Sequence, residues 1–406
     1  MIFIVAWKNV WRNKIRSIVV MMSVAVGLLC GIFFMAFMNG MAKQRIDSAI
    51  KSEVSHIQVH SSEYLDDEEV GNVIPDIKNI EQRINDSKYV EALSTRIIIS
   101  GMAKSARASK GVKIVGINRE SEQKVTDIHT KITDSIPDYF NKKYPVLMSE
   151  RLAKELRIRL KQKVTFVFQT VEGGLTETSF KITALYKTSN KVFDDMMVFV
   201  PRSKIARFAG LNNNQAHEIA VLLKNNDDLN LAADELKSEN NLIVTRTWKK
   251  IMPELGMMID MMDNMLVIFM SIILVALAFG IINTMLMVVL ERSREIGMLM
   301  AIGMNGKRIF GMILLETLFL SLTGGIIGII AATVVVNITS KNGMDLSAYS
   351  KGLEAIGYDS LVFPVLDISY YPVLILMVVI TALLSSIYPA AKALKLNPAT
   401  AMRIDA

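Results

Sequence analysis

The stretch closest to a phosphate-cradling loop is Gly303-Met304-Asn305-Gly306-Lys307-Arg308. Such a loop follows a strand, spaces its glycines so that backbone N–H groups wrap the phosphates, and places a Ser or Thr after the lysine for Mg²⁺. Here the first glycine is out of position, Arg308 stands where the hydroxyl should be, and the stretch joins two apolar runs, so the chain is expected neither to bind nor to hydrolyse ATP. The four histidines are His56, His60, His129 and His217. His56 and His60 have the i, i+4 spacing of a helical metal pair, but Ile57, Gln58 and Val59 alternate as in a strand and no HExxH glutamate is present. They read as surface or strand-edge histidines, and no metal site is expected. Glu316 is an ionisable group inside an otherwise uncharged apolar run, which is costly and by default a functional hypothesis. It lies eight residues beyond Arg308, roughly 12 Å along a helix, near enough to the interface to pair there; pairing and a direct mechanistic role both stand.

These groups sit among four apolar stretches, Ile18–Met38, Met265–Leu290, Ile309–Val336 and Tyr370–Ala391, each long enough for a hydrocarbon core that needs about 20 helical residues. With 406 residues, 51% apolar and 21% charged side chains and a mean hydropathy of +0.34, the chain combines membrane and aqueous parts. A net charge of +7 is spread along the sequence without an aromatic-rich basic stripe, so nucleic acid is not an expected partner. The single cysteine, Cys30, excludes an intrachain disulfide. The uncharged run of the first span is too long for a signal peptide and no A-x-A-like site follows it, so it reads as a retained anchor. Lys and Arg near the span ends number eleven on one side (Lys8, Arg12, Lys14, Arg16, Arg292, Arg294, Lys307, Arg308, Lys392, Lys395, Arg403) and eight on the other. That bias places both termini in the cytoplasm and the long second segment outside.

The outer segment, residues 42–257, opens with a helical pattern from Met41 to Ser55 and then shows β-like runs at 56–60, 94–103, 111–117, 163–170, 179–186 and 196–201. Shorter helical patterns fall at 76–86, 149–158, 202–209 and 227–238. KVTFVFQT and SFKITALY alternate and are joined through Glu172-Gly173-Gly174-Leu175, which predicts a hairpin. The expected fold class is an α-helical membrane protein with four transmembrane helices and an α+β extracytoplasmic domain.

Two inner segments carry more. Ile4, Trp7, Trp11 and Ile15 form an apolar stripe with Lys8, Arg12 and Arg16 opposite, as in a helix lying in the membrane interface. In residues 291–308, Glu291 and Arg294 are three apart, Ile296, Leu299 and Met300 supply an apolar face, and Gly303 is placed to end a helix. This reads as a solvated connector or as a short helix that fits a groove on a cytoplasmic motor. Gly324 and Gly328 make a small-xxx-small step for close helix packing, within the chain or against a second subunit. Met257, Met258, Met261, Met262 and Met265 recur at helical spacing near one end of the second span, and Met35, Met38 and Met41 near the matching end of the first. Flexible thioethers suit varied apolar partners, and core filling is the alternative.

ERSREIGMLMAIGMNGKRIFGMILLETLFLSLTGGIIGI, YPAAKALKLNPATAMRI and the N-terminal AWKNVWRNKIRS resemble ABC-transporter permeases of the MacB/FtsX/LolC–LolE type, with a looser match at VLMSERLAKELRIRLKQKVTFVF. The resemblance implies two permease chains, homo- or heterodimeric, on a cytoplasmic ABC ATPase dimer that binds ATP and Mg, this chain itself binding no cofactor. Residues 291–303 would be the coupling helix, with Glu291, Arg292, Arg294, Glu295, Ile296, Gly297, Met298, Leu299 and Gly303 as its contact residues. HIQVHSSEY and the size of the outer domain are most like the lipoprotein-releasing kind, which takes lipoproteins from the inner membrane between the first and second spans and passes them to a periplasmic chaperone. The chaperone-recruiting loop would fall near Gln169–Ser179, where it is short and lacks proline. Met35, Met38, Met257, Met258, Met261, Met262 and Met265 are the candidates for the substrate cavity. The alternatives are a MacB-like exporter and an FtsX-like activator of a cell-wall hydrolase. The expected organisation is an interfacial helix (1–17), a first span (18–41), the periplasmic domain (42–257), a second span (258–290), the coupling helix and loop (291–308), a third span (309–336), a short outer loop (337–369), a fourth span (370–391) and a cytoplasmic tail (392–406), in a bacterial inner membrane.

Overall fold

The computed structural model describes residues 2–74, 76–237 and 242–395; the end of the tail, with Arg403, lies outside them. The chain gathers into two compact units, one formed by Met1–Ala42, Ile259–Asp345 and the chain from Leu361 on, the other by Lys43–Met258 with Leu346–Ser360.

The first unit is built from the helices α1 (Ile2–Arg12), α2 (Lys14–Ser48, as far as Ala42), α3 (Pro253–Glu291, from Ile259), α4 (Ser293–Ala301), α5 (Gly306–Asn342) and α6 (Tyr370–Leu394). Of these, α2, α3, α5 and α6 are long and apolar enough to cross a membrane. Val24, Leu28 and Ile32 of α2 pack with Met270 and Leu274 of α3, Ile313 and Leu320 of α5 and Val378 of α6. Ile268, Ile272, Val275 and Phe279 of α3 stay exposed, a surface that suits lipid and not water.

Several boundaries differ from the expectation. The N-terminal stripe is not one helix: the chain breaks at Asn13, and Ile15 belongs to α2. The Ser17 hydroxyl turns back onto the Val10 carbonyl, and Ser17 N–H onto that of Asn13, which satisfies backbone groups freed at the break. α3 begins at Pro253, twelve residues before the apolar run that starts at Met265, because proline at a first helical position loses no hydrogen bond. The outer loop expected at 337–369 is partly helix, since no breaker interrupts α5 before Gly343 at φ +71°. A two-stranded ribbon, Met344–Asp345 with Leu361–Val362, follows, and residues 346–360 join the second unit.

Among the described residues the second unit is built on a ten-stranded sheet: β1 (Ile57–Ser61), β2 (Val90–Lys104), β3 (Ser109–Ile117), β4 (Ile132–Ser135), β5 (Pro145–Ser149), β6 (Lys163–Gln169), β7 (Leu175–Tyr186), β8 (Met197–Pro201), β9 (Glu218–Leu223) and β10 (Ile243–Thr247). β2, β3, β8, β5, β7 and β6 pair in turn and β6 returns to β2, which closes a six-stranded barrel. Ile97, Ile99, Ile114, Val146, Phe166, Phe180, Ile182 and Val200 fill it. The β6–β7 hairpin turns through residues 170–174, with Gly173 at φ +81°. The recruiting loop expected at Gln169–Ser179 is therefore shorter: Leu175–Ser179 are ladder residues paired with Thr165–Gln169.

The histidines also differ. Only His129 is exposed; His56 and His60 are 8% and 5% exposed because β1 lies between β9 and β10 and not at an edge, and His217, just before β9, is 0% exposed beneath Tyr64 and Val70. Leu223 N–H donates to His56 Nδ1 at 3.1 Å, Ile98 N–H donates to His217 Nδ1, and His217 Nε2–H donates to the Val70 carbonyl, both at 3.0 Å. Burial lowers the pKa of His56 and of His217 to about 4. An imidazole neutral in the fold but near 6.5 when unfolded contributes stability that is complete above that value and is lost as pH falls toward 4. Asp194, raised by burial to about 6, acts in the opposite sense, its contribution being present below its unfolded value of 3.8 and lost as pH rises through 6. Two histidines outweigh one carboxyl, so the melting temperature of this unit is expected to fall by roughly 5–10 °C between pH 6.5 and 4. Fluorescence of the buried Trp248 in a Trp7→Phe/Trp11→Phe chain reads it, and a melting temperature unchanged over that interval contradicts it.

Candidate functional site

The short helix α4 owes its ends to its sequence. Arg292 leaves helical geometry at φ −95°, ψ 15°, which separates α4 from α3. Glu295 lies in the first turn, where the helix dipole favours a carboxylate. At the other end Gly303 takes φ +93°, its N–H donates to the Met300 carbonyl, and Met304 N–H reaches back to that of Leu299. This 6→1, 5→2 pair is the Schellman arrangement that a glycine at C′ permits.

Ion pairs gather at the junction of α3 and α4 and draw in α1, α2 and α5. Arg12 of α1 meets Glu295 at 2.6 Å, and Arg16 of α2 chelates Glu291 at the end of α3. Arg292 donates from Nε to Glu295 at 3.0 Å and from a terminal nitrogen to both oxygens of Glu316 on α5, at 3.0 and 3.1 Å. Asn9 Nδ2 of α1 completes the shell of Glu316 at 2.5 Å. Burial acts to raise the Glu295 pKa, but hydrogen bonds from Arg12 and Arg292 outweigh it and leave the carboxyl below its ordinary value. The cluster lines a cavity of about 270 Å³ together with Val20, Met285 and Leu320.

Arginine forks on carboxylates are directional, so this lattice fixes the orientation of α4 as well as its position. The helix presents two faces. Ile296 and Gly297 are buried, Ile296 with Ile309 and Ile313 in the membrane-unit core, and Met300 packs against that core. Arg294, Met298, Ala301 and Ile302 point outward, Met298 at 49% and Ile302 at 85% exposure.

The expected site residues therefore separate. Glu291 does not share a helical face with Arg294, because the break at Arg292 leaves it on α3, bound to Arg16. Ile296 faces inward, and Leu299 is half-buried. Asn9, Arg12, Arg16 and Ile302 were not among the expected residues. Ile302, four residues after Met298 and just before the terminating glycine, was readable from periodicity; the other three meet partners about 280–300 positions away, for which spacing gives no signal. Gly324 and Gly328 lie against Met21 and Ala25 of α2. Of the methionines, Met35 is a correction: at 4% exposure it fills the core, with Met38 packed on it. Met257, Met261 and Met265 are exposed, Met262 is half-buried, and Met258 accepts a hydrogen bond from the Tyr358 hydroxyl.

Comparison with known proteins gives two family matches, the MacB-like periplasmic core domain over residues 17–239 and the FtsX-like permease C-terminal region over residues 267–398. The lipoprotein-releasing system transmembrane protein LolE of Haemophilus influenzae is 20% identical over 98% of this chain and 98% of its own. LolC of Neisseria meningitidis is 21% identical over 97% and 96%. The periplasmic region of MacB from Actinobacillus actinomycetemcomitans aligns to 54% of this chain and 95% of its own, at 12% identity and a TM-score of 0.33.

Proposed function

Because this chain belongs to the family of ABC-transporter permeases with a MacB-like core domain and an FtsX-like C-terminal region, we propose that it is the membrane subunit of a lipoprotein-releasing transporter in a bacterial inner membrane. LolE and LolC are transmembrane proteins that this chain matches over nearly their full length, which supports a division of labour in which ATP and Mg belong to a partner ATPase and this chain converts its cycle into movement. Both termini and α4 face the cytoplasm, the barrel domain faces the periplasm, and a second permease chain completes the assembly. The cargo is the acylated end of a lipoprotein, drawn from the bilayer past the outward methionines of α3. Near full-length similarity to LolE and LolC supports that cargo over peptide export or hydrolase activation.

The observation that carries the coupling role is the apolar ridge of Met298 and Ile302, exposed on a helix whose other side is clamped by charge. A ridge of this kind suits a groove on a motor protein, and its rigid mounting lets a push on it reach α1, α2, α3 and α5 together. Removing each side chain from such a contact costs about 1–2 kcal/mol. Met298→Ser and Ile302→Ser are thus each expected to weaken binding of the cognate ATPase about 5- to 30-fold without changing the melting temperature of the permease. Co-purification and ATPase stimulation in proteoliposomes measure the first, and ATP-dependent transfer of an acylated lipoprotein to a soluble carrier measures the cargo. Unchanged ATPase binding in the double variant refutes the docking role, and efflux of peptides without lipoprotein transfer refutes the cargo.

A further inference from the structure

β3 and β8 are neighbouring parallel strands that end level with each other, Ile117 opposite Pro201. From that line the chain leaves toward opposite faces of the sheet. Glu122 of the helix Arg119–Val125 binds Ser94 and Arg96 on one side of β2. Ile205, Ala206 and Ala209 of the helix Arg202–Ala209 join Ile97 and Ile99 in the barrel core on the other. Successive side chains of a strand point to opposite faces, so these two helices are on different sides. A crevice opens where adjacent parallel strands send their successors apart, a recurrent position for ligands. The parts are closely set: a Cβ on Gly116 would collide with Ile205 and come within 3.2 Å of Arg202 Cα.

The crevice measures about 750 Å³, within the usual range for small-molecule sites, and Phe140 and Ile117 form part of its wall. Its charged lining is four cations, Arg119, Lys142, Arg202 and Lys204, against one carboxylate, Glu120. Arg119 is 3.8 Å from Asp138 and lies over the Tyr139 ring. Arg202 is more telling. It donates from one terminal nitrogen to the carbonyls of Asn213 and Gln215, at 3.0 and 3.2 Å, while its buried Nε–H has no acceptor. Burial pulls the Arg202 pKa down, with the Glu81 carboxylate acting in the opposite sense. A half-buried cation with one N–H left without an acceptor is stabilised by an anion placed beside it. The helix Arg202–Ala209 starts without a side-chain cap, which adds a partial positive charge on the same side.

The geometry points to a binding site for a phosphate group, carried by an acidic phospholipid or by a soluble phosphomonoester, in the crevice beyond the carboxyl ends of β3 and β8. Phosphate fits because its several acceptor oxygens can be shared among the guanidinium and ammonium groups of Arg119, Lys142, Arg202 and Lys204, which a carboxylate with two oxygens serves less fully. None of these residues takes part in the coupling site, so the site is independent of the transport reading.

The test uses the full chain in phosphatidylcholine nanodiscs, titrated calorimetrically with glycerol 3-phosphate, and the detergent-solubilised chain floated with phosphatidylglycerol or phosphatidylcholine vesicles. Saturable binding of glycerol 3-phosphate alone identifies a soluble source, and binding to phosphatidylglycerol vesicles alone a lipid source; either supports the site. Arg202→Gln with Lys204→Gln is expected to weaken that binding at least tenfold, Glu120→Gln to tighten it severalfold, and added salt to weaken it. Should the Arg202 variant fail to fold, Lys142→Gln with Lys204→Gln serves the same purpose through exposed side chains. The proposal is overturned if neither probe saturates, if the lysine variants bind as the parent does, or if hexaglutamate outcompetes both phosphates, which would mark a protein-binding surface.

Discussion

A chain carrying Glu316→Leu is expected to lose about 3–5 kcal/mol of stability and at least nine-tenths of its ability to stimulate the partner ATPase, although its docking ridge is untouched. The magnitude follows from what the substitution leaves behind. Glu316 is 5% exposed at its side chain and Arg292 is 17% exposed, and the two are joined through both carboxylate oxygens. Removing one partner of a buried pair strands the other charge, which costs more than the pair contributes. Here Arg292 would keep only Glu295, and Asn9 would lose its acceptor. The coupling loss follows from position, because Arg292 is the residue at which α3 gives way to α4, and Glu316 is what ties that junction to α5. Glu316→Gln, which preserves an acceptor but not the charge, should fall between. Exchanging the charges, Arg292→Glu with Glu316→Arg, should recover part of the stability lost by either single change. Affinity for the ATPase should change less than turnover in every one of these chains, since Met298 and Ile302 stay outward. Thermal unfolding and stimulated ATP hydrolysis measure the two effects, and parental values of both in Glu316→Leu defeat the claim.

The membrane helices were legible in the sequence because a run of about 20 apolar residues needs no tertiary partner to be recognised. So was the β6–β7 hairpin, whose alternation shows which side of each strand meets the core. β5 was not: every residue of Pro145–Ser149 is buried, so its pattern has no period and its length is too short to separate strand from helix. β9 fails for the same reason, Glu218–Leu223 being buried at all but one position. The barrel closure depends on β6 pairing with β2 some 65 positions earlier, which is a fact about topology and not about any local pattern. The candidate site divides along the same line. Gly303 announces the end of α4 from the sequence, and a carboxylate inside a span announces that a partner is needed. Which partner is settled only when α1, α4 and α5 meet: Arg308, the nearest cation along the chain, is exposed, and Arg292 takes the place. The buried histidines show the converse, since His56 and His60 read as edge residues until β9 and β10 are found on both sides of β1.

Gly324→Leu with Gly328→Leu is expected to dislodge α2 from α5 and to cost at least about 3 kcal/mol, because each side chain would be driven into backbone. A Cβ on Gly324 would stand 2.6 Å from the Met21 carbonyl oxygen and 3.0 Å from Met21 Cα. On Gly328 it would stand 2.7 Å from the Ala25 oxygen and 2.9 Å from Ala25 Cα. Flexible side chains yield to such intrusions, as the tip of Leu277 would at Gly27, but a helix backbone moves only as a whole. The two sites lie one turn apart on the same face and push the same way, so their costs are coupled and the sum of the singles is a guide only. Even alanine at either position should lower the melting temperature. Gly311 on the same helix supplies the control, with nothing within 4 Å of its virtual Cβ. Alanine there should be neutral or stabilising by up to about 1 kcal/mol through helix propensity alone. The comparison also decides what the small-xxx-small step is for. Were these glycines surfaces for a second permease chain, the double leucine variant would fold as stably as the parent and fail only to dimerise. Contact with α2 predicts the reverse order of events, in which the single chain is destabilised before any assembly is lost.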